Sequence, residues 1–218
     1  MKKVVCFIFC LWASNFIQAQ YNPKPYYGLK AGANYSQFMP NELMKRYDDI
    51  GYFGKFGFYL GAFVNFELTE NIKIQPELMF TLQGSRFNND NLQFFDGTNE
   101  FSPIISNYRS TINESTIALP ILVQFFINDL FYFEIGSQLA YVIDTTEKIT
   151  EIPVEELAFG EGISIFNDID KFDFGASVGL GYKLSDTFIL NGRYFFSLID
   201  RSDTIKSSVF YLGVDYQL

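Results

Sequence analysis

The sequence predicts an all-β fold: an eight-stranded antiparallel up-and-down transmembrane β-barrel with short periplasmic turns and long extracellular loops. Three observations lead there. Long segments alternate between an apolar and a mixed face, the period-2 mark of a strand with two unlike sides. Each such segment holds about 13 residues, which at about 3.3 Å per residue and a tilt near 45° spans roughly 30 Å, the thickness of a bilayer's hydrocarbon. Tight turns such as Thr69-Glu70-Asn71, Asn128-Asp129 and Ser185-Asp186-Thr187 alternate with the long connections 39–55, 85–115 and 143–171, the turn-and-loop asymmetry of an outer-membrane barrel.

The chain opens with Met1, Lys2 and Lys3, then an apolar stretch from Val4 to Ile17 that ends near Ala19. Residues 1–20 therefore read as a secretory signal peptide, cleaved after Ala19 or Gln20, which leaves 21–218 as one barrel domain. Cys6 and Cys10, the two cysteines, leave with it, so a thiol, a disulfide or a cysteine metal site is not expected in the mature chain. Strands are then expected at 26–38, 56–68, 72–84, 116–127, 130–142, 172–184, 188–200 and 207–218. In the second, one face reads Phe56, Phe58, Leu60, Ala62, Val64, Phe66, Leu68 and the other Gly57, Tyr59, Gly61, Phe63, Asn65, Glu67. The sixth divides as cleanly, Phe172, Phe174, Ala176, Val178, Leu180, Tyr182 and Leu184 against Asp173, Gly175, Ser177, Gly179, Gly181 and Lys183. Past residue 20 no apolar run is long enough for a spanning helix.

Alternation alone does not say which face meets lipid. The mixed faces combine Gly175, Gly179 and Gly181 with Phe63, Phe126, Tyr132, Phe195 and Tyr211, the mixture of sizes that fills a narrow barrel interior. Aromatic residues gather near strand ends, with Tyr27, Tyr35, Phe56, Phe66, Phe172, Tyr182 and Tyr216 placed for two interfacial girdles. An even number of strands closes without an edge, as lipid requires. The last strand turns Phe210, Leu212, Val214, Tyr216 and Leu218 outward.

Gly28-Leu29-Lys30-Ala31-Gly32-Ala33-Asn34-Tyr35-Ser36, Gln75-Pro76-Glu77-Leu78 with Gln83-Gly84, and Ile117-Ala118-Leu119-Pro120-Ile121 resemble the PorT-like outer-membrane β-barrel family across the mature chain. The resemblance implies fold more than task. It also implies that Pro76 and Pro120, which cannot donate to a ladder, sit at bulges.

Composition narrows the chemistry. With 16 Lys and Arg against 25 Asp and Glu, a net charge of -9, the chain offers no basic surface for nucleic acid. It has no histidine, hence neither the commonest general base nor the usual metal ligand. No enzymatic activity, cofactor or metal site is expected; a Ser177 and Lys183 pairing is not singled out by its spacing. The inward faces carry Lys30, Lys73, Lys183 and Arg193 with Glu67, Glu77, Glu134, Asp173 and Asp215. This charge network is expected to be a salt-bridged filling, since an eight-stranded barrel is about wide enough for its own side chains. The acidic loop 143–171 reads as solvated rather than as a calcium site, and Phe87, Phe94, Phe95 and Phe101 on loop 85–115 either form a partner surface or fold onto the barrel mouth. The expected role is structural or binding through the loops. Expected partners are outer-membrane lipid and lipopolysaccharide, the barrel-insertion machinery, and an extracellular or secretion-system protein. The alternatives are a narrow channel, a secretion-apparatus component, or a soluble lipocalin-like carrier with an apolar interior.

Overall fold

A computed structural model describes residues 24–40, 50–94, 104–151, 169–201 and 205–218; the expected signal peptide at 1–20 lies outside them. Among the described residues nine strands form: β1 (Tyr26–Pro40), β2 (Ile50–Phe53), β3 (Lys55–Thr69), β4 (Ile72–Phe94), β5 (Ile104–Phe126), β6 (Phe131–Glu151), β7 (Phe172–Lys183), β8 (Phe188–Ser197) and β9 (Ile205–Gln217). Every pairing between them is antiparallel. The ring of pairings runs β1-β3-β4-β5-β6-β7-β8-β9, and β9 closes it onto β1. The result is an up-and-down barrel without a free edge along that ring.

The ninth strand comes from an interruption. β2 continues the β3 side of β4, pairing Phe53 with Arg86 where β3 pairs Phe58 with Leu82. Gly54 separates the two, and a Cβ there would lie 2.1 Å from the Tyr35 ring. The turns match expectation in place: Phe126 donates to the Asn71 carbonyl at 2.8 Å, Leu184 to the Phe188 carbonyl at 2.8 Å, and the Asn128 side chain accepts from the N–H of Phe131 at 2.8 Å.

The predicted long loops are partly strand. β4 runs to Phe94, β5 starts at Ile104 and β6 runs to Glu151, so the wall continues well past the expected ends at 84, 116 and 142. Asn88, Asn89, Asp90 and Asn91 have low strand propensity, but pairing with Ser106–Arg109 and with β2 holds this segment in the sheet. Gly84 marks the passage from barrel to extension. Its φ of 138° is open to glycine and strained for other residues. Its N–H donates to Ser36 Oγ at 2.9 Å, and that hydroxyl donates to its carbonyl at 2.8 Å.

The prolines do not make bulges. Around Pro76 the ladder skips two pairs and resumes in the same register, Phe63 with Glu77 and Phe66 with Ile74; Pro120 does the same between Pro76–Ile121 and Met79–Ala118. A missing N–H removes pairing on one side only, the β3 side of Pro76 and the β4 side of Pro120, and leaves the opposite ladder intact. Register shifts fall elsewhere, near Glu67, Asn89, Arg109 and Ser115.

The faces point as the alternation requires. Phe56 is 78% exposed, Leu60 54%, Leu180 53% and Leu212 50%, while the opposite positions Tyr59, Phe63, Tyr132, Phe195 and Tyr211 are buried. Tyr27, Phe66, Tyr182 and Tyr216 are exposed at the turn end, and Tyr35, Phe56 and Phe172 at the other. A soluble carrier has the reverse arrangement.

Candidate functional site

The interior is a stack of layers, and alternate residues of β4 climb through it from the turn: Lys73, Gln75, Glu77, Met79, Thr81, Gln83, Ser85, Phe87. At the bottom Lys73 pairs with Glu67, its ammonium 5.1 Å from the Tyr26 ring centroid and 5.0 Å from that of Phe126. The Lys183 ammonium lies 4.9 Å from the same Phe126 ring centroid; among the described residues it has no carboxylate partner. Above them sits an amide layer. Asn65 Nδ2 donates to Gln75 Oε1 and Gln124 Oε1, both at 2.8 Å, and Gln124 Nε2 reaches Gln75 Oε1 at 3.1 Å.

The central layer holds five of the nine charged residues expected in the lumen. Arg193, on β8, donates to Glu77 on β4 from both terminal nitrogens, at 2.7 and 2.9 Å, and its Nε donates to Glu134 Oε1 on β6 at 2.7 Å. Lys30, from β1, and Gln75 each reach Glu77 Oε1 at 2.8 Å. Glu134 also accepts from Asn191 and Gln124, each at 3.2 Å. Asp215, from β9, stands 3.5 Å from Lys30, and its two oxygens accept no hydrogen bond from the described residues. The side chains of Lys30, Arg193 and Asp215 are 1% exposed, those of Glu77 and Glu134 0%. Arg193, Glu77 and Glu134, so far from water, are held by charge-assisted hydrogen bonds to one another.

Above the charges lies an aromatic layer: Tyr59 and Tyr211 meet edge to face at 5.2 Å and pack with Met79, Ala118, Ala140, Phe195 and Val209. Glycines make room for such rings; a Cβ at Gly181 would lie 2.0 Å from Tyr132. Asp173 belongs to a separate group higher up, where Ser197 Oγ donates to it. Lys73, Glu67, Lys183 and Asp173 are thus inward but outside the central cluster.

Sequence reasoning missed a second buried ion pair. Arg201 donates to Glu114 at 2.7 and 3.1 Å and to the Asp170 carbonyl at 2.8 Å, beneath Phe38. Glu114 was expected in a loop, although Tyr108, Ser110, Ile112, Glu114 and Thr116 keep the inward phase of β5. The amides Asn65, Gln75, Gln124 and Asn191 carry no formal charge, so nothing in the charge pattern of the sequence marks them.

The loop-side mouth closes on an apolar cap of Phe38, Tyr52, Phe87, Tyr108, Ile112 and Ile205, with Ile169 against it. Ring contacts link Phe38 to Tyr52 at 6.1 Å, Tyr52 to Phe87 at 5.2 Å and Phe87 to Tyr108 at 6.1 Å. Phe87 therefore folds inward rather than presenting a surface; Phe95 and Phe101 lie outside the described residues. Tyr108 Oη donates to Glu147 at 2.7 Å. Burial, then the Glu147 charge, pushes the Tyr52 hydroxyl up to about 12; burial and the Glu147 hydrogen bond raise that of Tyr108.

A ring of antiparallel strands, apolar outside and charged inside, is the construction of a bilayer-spanning barrel. The family model described as outer membrane protein beta-barrel domain matches residues 18–203. The chain belongs to this outer-membrane β-barrel family. Among solved structures, this family member is similar to the attachment invasion locus protein Ail of Yersinia pestis, at 13% identity and a TM-score of 0.47, with 90% of this chain and 100% of that one covered. OprG of Pseudomonas aeruginosa follows at 11% identity and 0.45, covering 92% and 99%, and Neisserial surface protein A at 11% and 0.44, covering 90% and 100%. No curated protein matches.

Proposed function

We propose that this chain is an eight-stranded outer-membrane barrel with a sealed interior, non-enzymatic, whose role is structural or binding through its loop-side extension. In this reading β2 and β3 are one wall strand broken at Gly54, residues 1–20 direct export and are removed, the short turns face the periplasm and the extension faces outward. The observation that carries it is the central layer, where Arg193 joins Glu77 and Glu134 across the barrel with every charged side chain at most 1% exposed. A pore for ions needs a hydrated path, and the amide, charge and aromatic layers leave their side chains in contact with one another instead of with water. The binding half of the role is supported by Ile143 and Ile149, 46% and 38% exposed on β6 beyond the aromatic girdle. The motifs at Gly28–Ser36 and Gln75–Leu78 support a PorT-like member of the family. Its partners are then outer-membrane lipid, lipopolysaccharide on the outer face, the insertion machinery during assembly, and a protein met by the extension. Planar-bilayer recording tests the seal: reconstituted protein should show no stable conductance steps, and steps of uniform size would replace this reading with a channel.

A further inference from the structure

The outward face of β3 carries large side chains except at its middle: Phe56, Phe58 and Leu60 precede Ala62 and Val64, and Phe66 and Leu68 follow. The neighbouring strands do not fill the gap. Val64 pairs with Tyr27 and Ala62 with Leu29 on β1, while Ala62 pairs with Leu78 on β4. Tyr27, Leu29 and Leu78 stand out at 56%, 53% and 55% exposure, so they wall a trough floored by Ala62, Val64 and Pro76. Its volume is about 340 Å³, at the low end of the range of about 300 to 1,000 Å³ for small-molecule sites. The skipped β3–β4 pairs beside Pro76 lie under this floor.

We propose that this trough seats one acyl chain of a phospholipid from the periplasmic leaflet. The inference rests on the orientation given under Proposed function. The trough is continuous with the apolar belt that meets the bilayer, so what reaches it is hydrocarbon; of its lining residues only Tyr27 and Glu77 have polar side chains, and the Glu77 carboxylate is turned into the lumen onto Arg193. It lies in the turn-side half: the Leu218 N–H donates to the Tyr27 carbonyl at 2.9 Å, and Leu218 closes the lower end. Lys24, exposed just before β1, puts a cation at the turn-side rim, where phospholipid phosphates lie. A fixed trough orders one chain against a surface already shaped for it, whereas the rest of the belt meets fluid chains.

The test uses full-length mature protein in vesicles of phosphatidylethanolamine carrying a diazirine on the acyl chain, with cross-links mapped by peptide mass spectrometry. Labelling at Leu29, Ala62, Val64 and Leu78 should exceed that at Val178 and Leu180 on the opposite wall several-fold. Ala62→Phe, or the milder Ala62→Leu, should bring the excess down to belt level while each variant keeps its cold-SDS gel mobility. Uniform labelling of both walls would overturn the seat but leave the membrane barrel standing. An excess seen only with diazirine-labelled lipid A would overturn the assignment to phospholipid. Absence of label on either wall, with no heat-dependent gel shift, would overturn the membrane reading and the seat with it.

Discussion

Arg193 shows how much one residue can carry. Its guanidinium engages two carboxylates from two strands, and each is buried. Removing one partner of such a group costs more than the group contributes intact, because the carboxylates remain without their charge balance. Arg193→Met should therefore destabilise the barrel by about 3 to 5 kcal/mol, read as a lower urea midpoint in lipid vesicles; an unchanged midpoint would show that Lys30 and Gln75 suffice for Glu77. Val178 tests the other face. It is 41% exposed, pairs with Ile135 and Tyr194 and meets lipid in the proposed orientation. Val178→Arg should cost about 2 to 4 kcal/mol and impair insertion. A harmless Val178→Arg beside a lethal Gly179→Arg would mean that the faces are exchanged. The inward residues are legible in the sequence because alternation puts them on one face and the glycines and large rings on that face mark it as the filled interior; their partners are not, since Arg193 and Glu77 lie 116 positions apart.

Among the elements, the extension of β4, β5 and β6 encloses an apolar cap of its own, above Gly84 and apart from the charged layers of the barrel wall. Its inner side is capped by rings whose hydroxyls resist ionisation, Tyr52 up to about 12 and Tyr108 also raised. A phenol whose folded pKa lies above its unfolded value stabilises the fold fully below that unfolded value, 10.0 here, and loses this contribution as pH rises through the folded one. The cap should thus loosen between about pH 10 and 12, seen as new proteolytic cleavage within 86–94 and 104–112 while the gel mobility of the barrel is retained. Protection that persists to pH 12, with tyrosinate absorbance already developed, would contradict it. The sequence reading stopped these strands early because Asn- and Ser-rich stretches resemble loops. Pairing with a neighbour outweighs weak local propensity once the neighbour is in place.

For the whole molecule, closure is the governing property. Every strand of the ring has a partner on both sides along the barrel wall, so the wall below the extension offers no open edge to detergent, and opening one seam exposes the wall and the charged layers together. Protein extracted from membranes in mild detergent should therefore resist cold SDS and change mobility only on boiling. Identical mobility before and after boiling would argue against a closed barrel and return the soluble carrier to consideration.

What the sequence alone determined is local in origin: strand alternation sorted the side chains into two faces, the glycine and aromatic mixture indicated which face fills the interior, and the tight turns settled antiparallel order. The tertiary structure alone decided what is remote along the chain. It joined β9 to β1, assembled Glu77, Arg193, Glu134, Lys30 and Asp215 into one layer, paired Arg201 with Glu114, and carried β4, β5 and β6 beyond their expected ends. The physical reason is range. Periodicity is imposed by the backbone of each strand, but shear and register between strands determine which inward residues share a level, and those emerge only when the sheet closes.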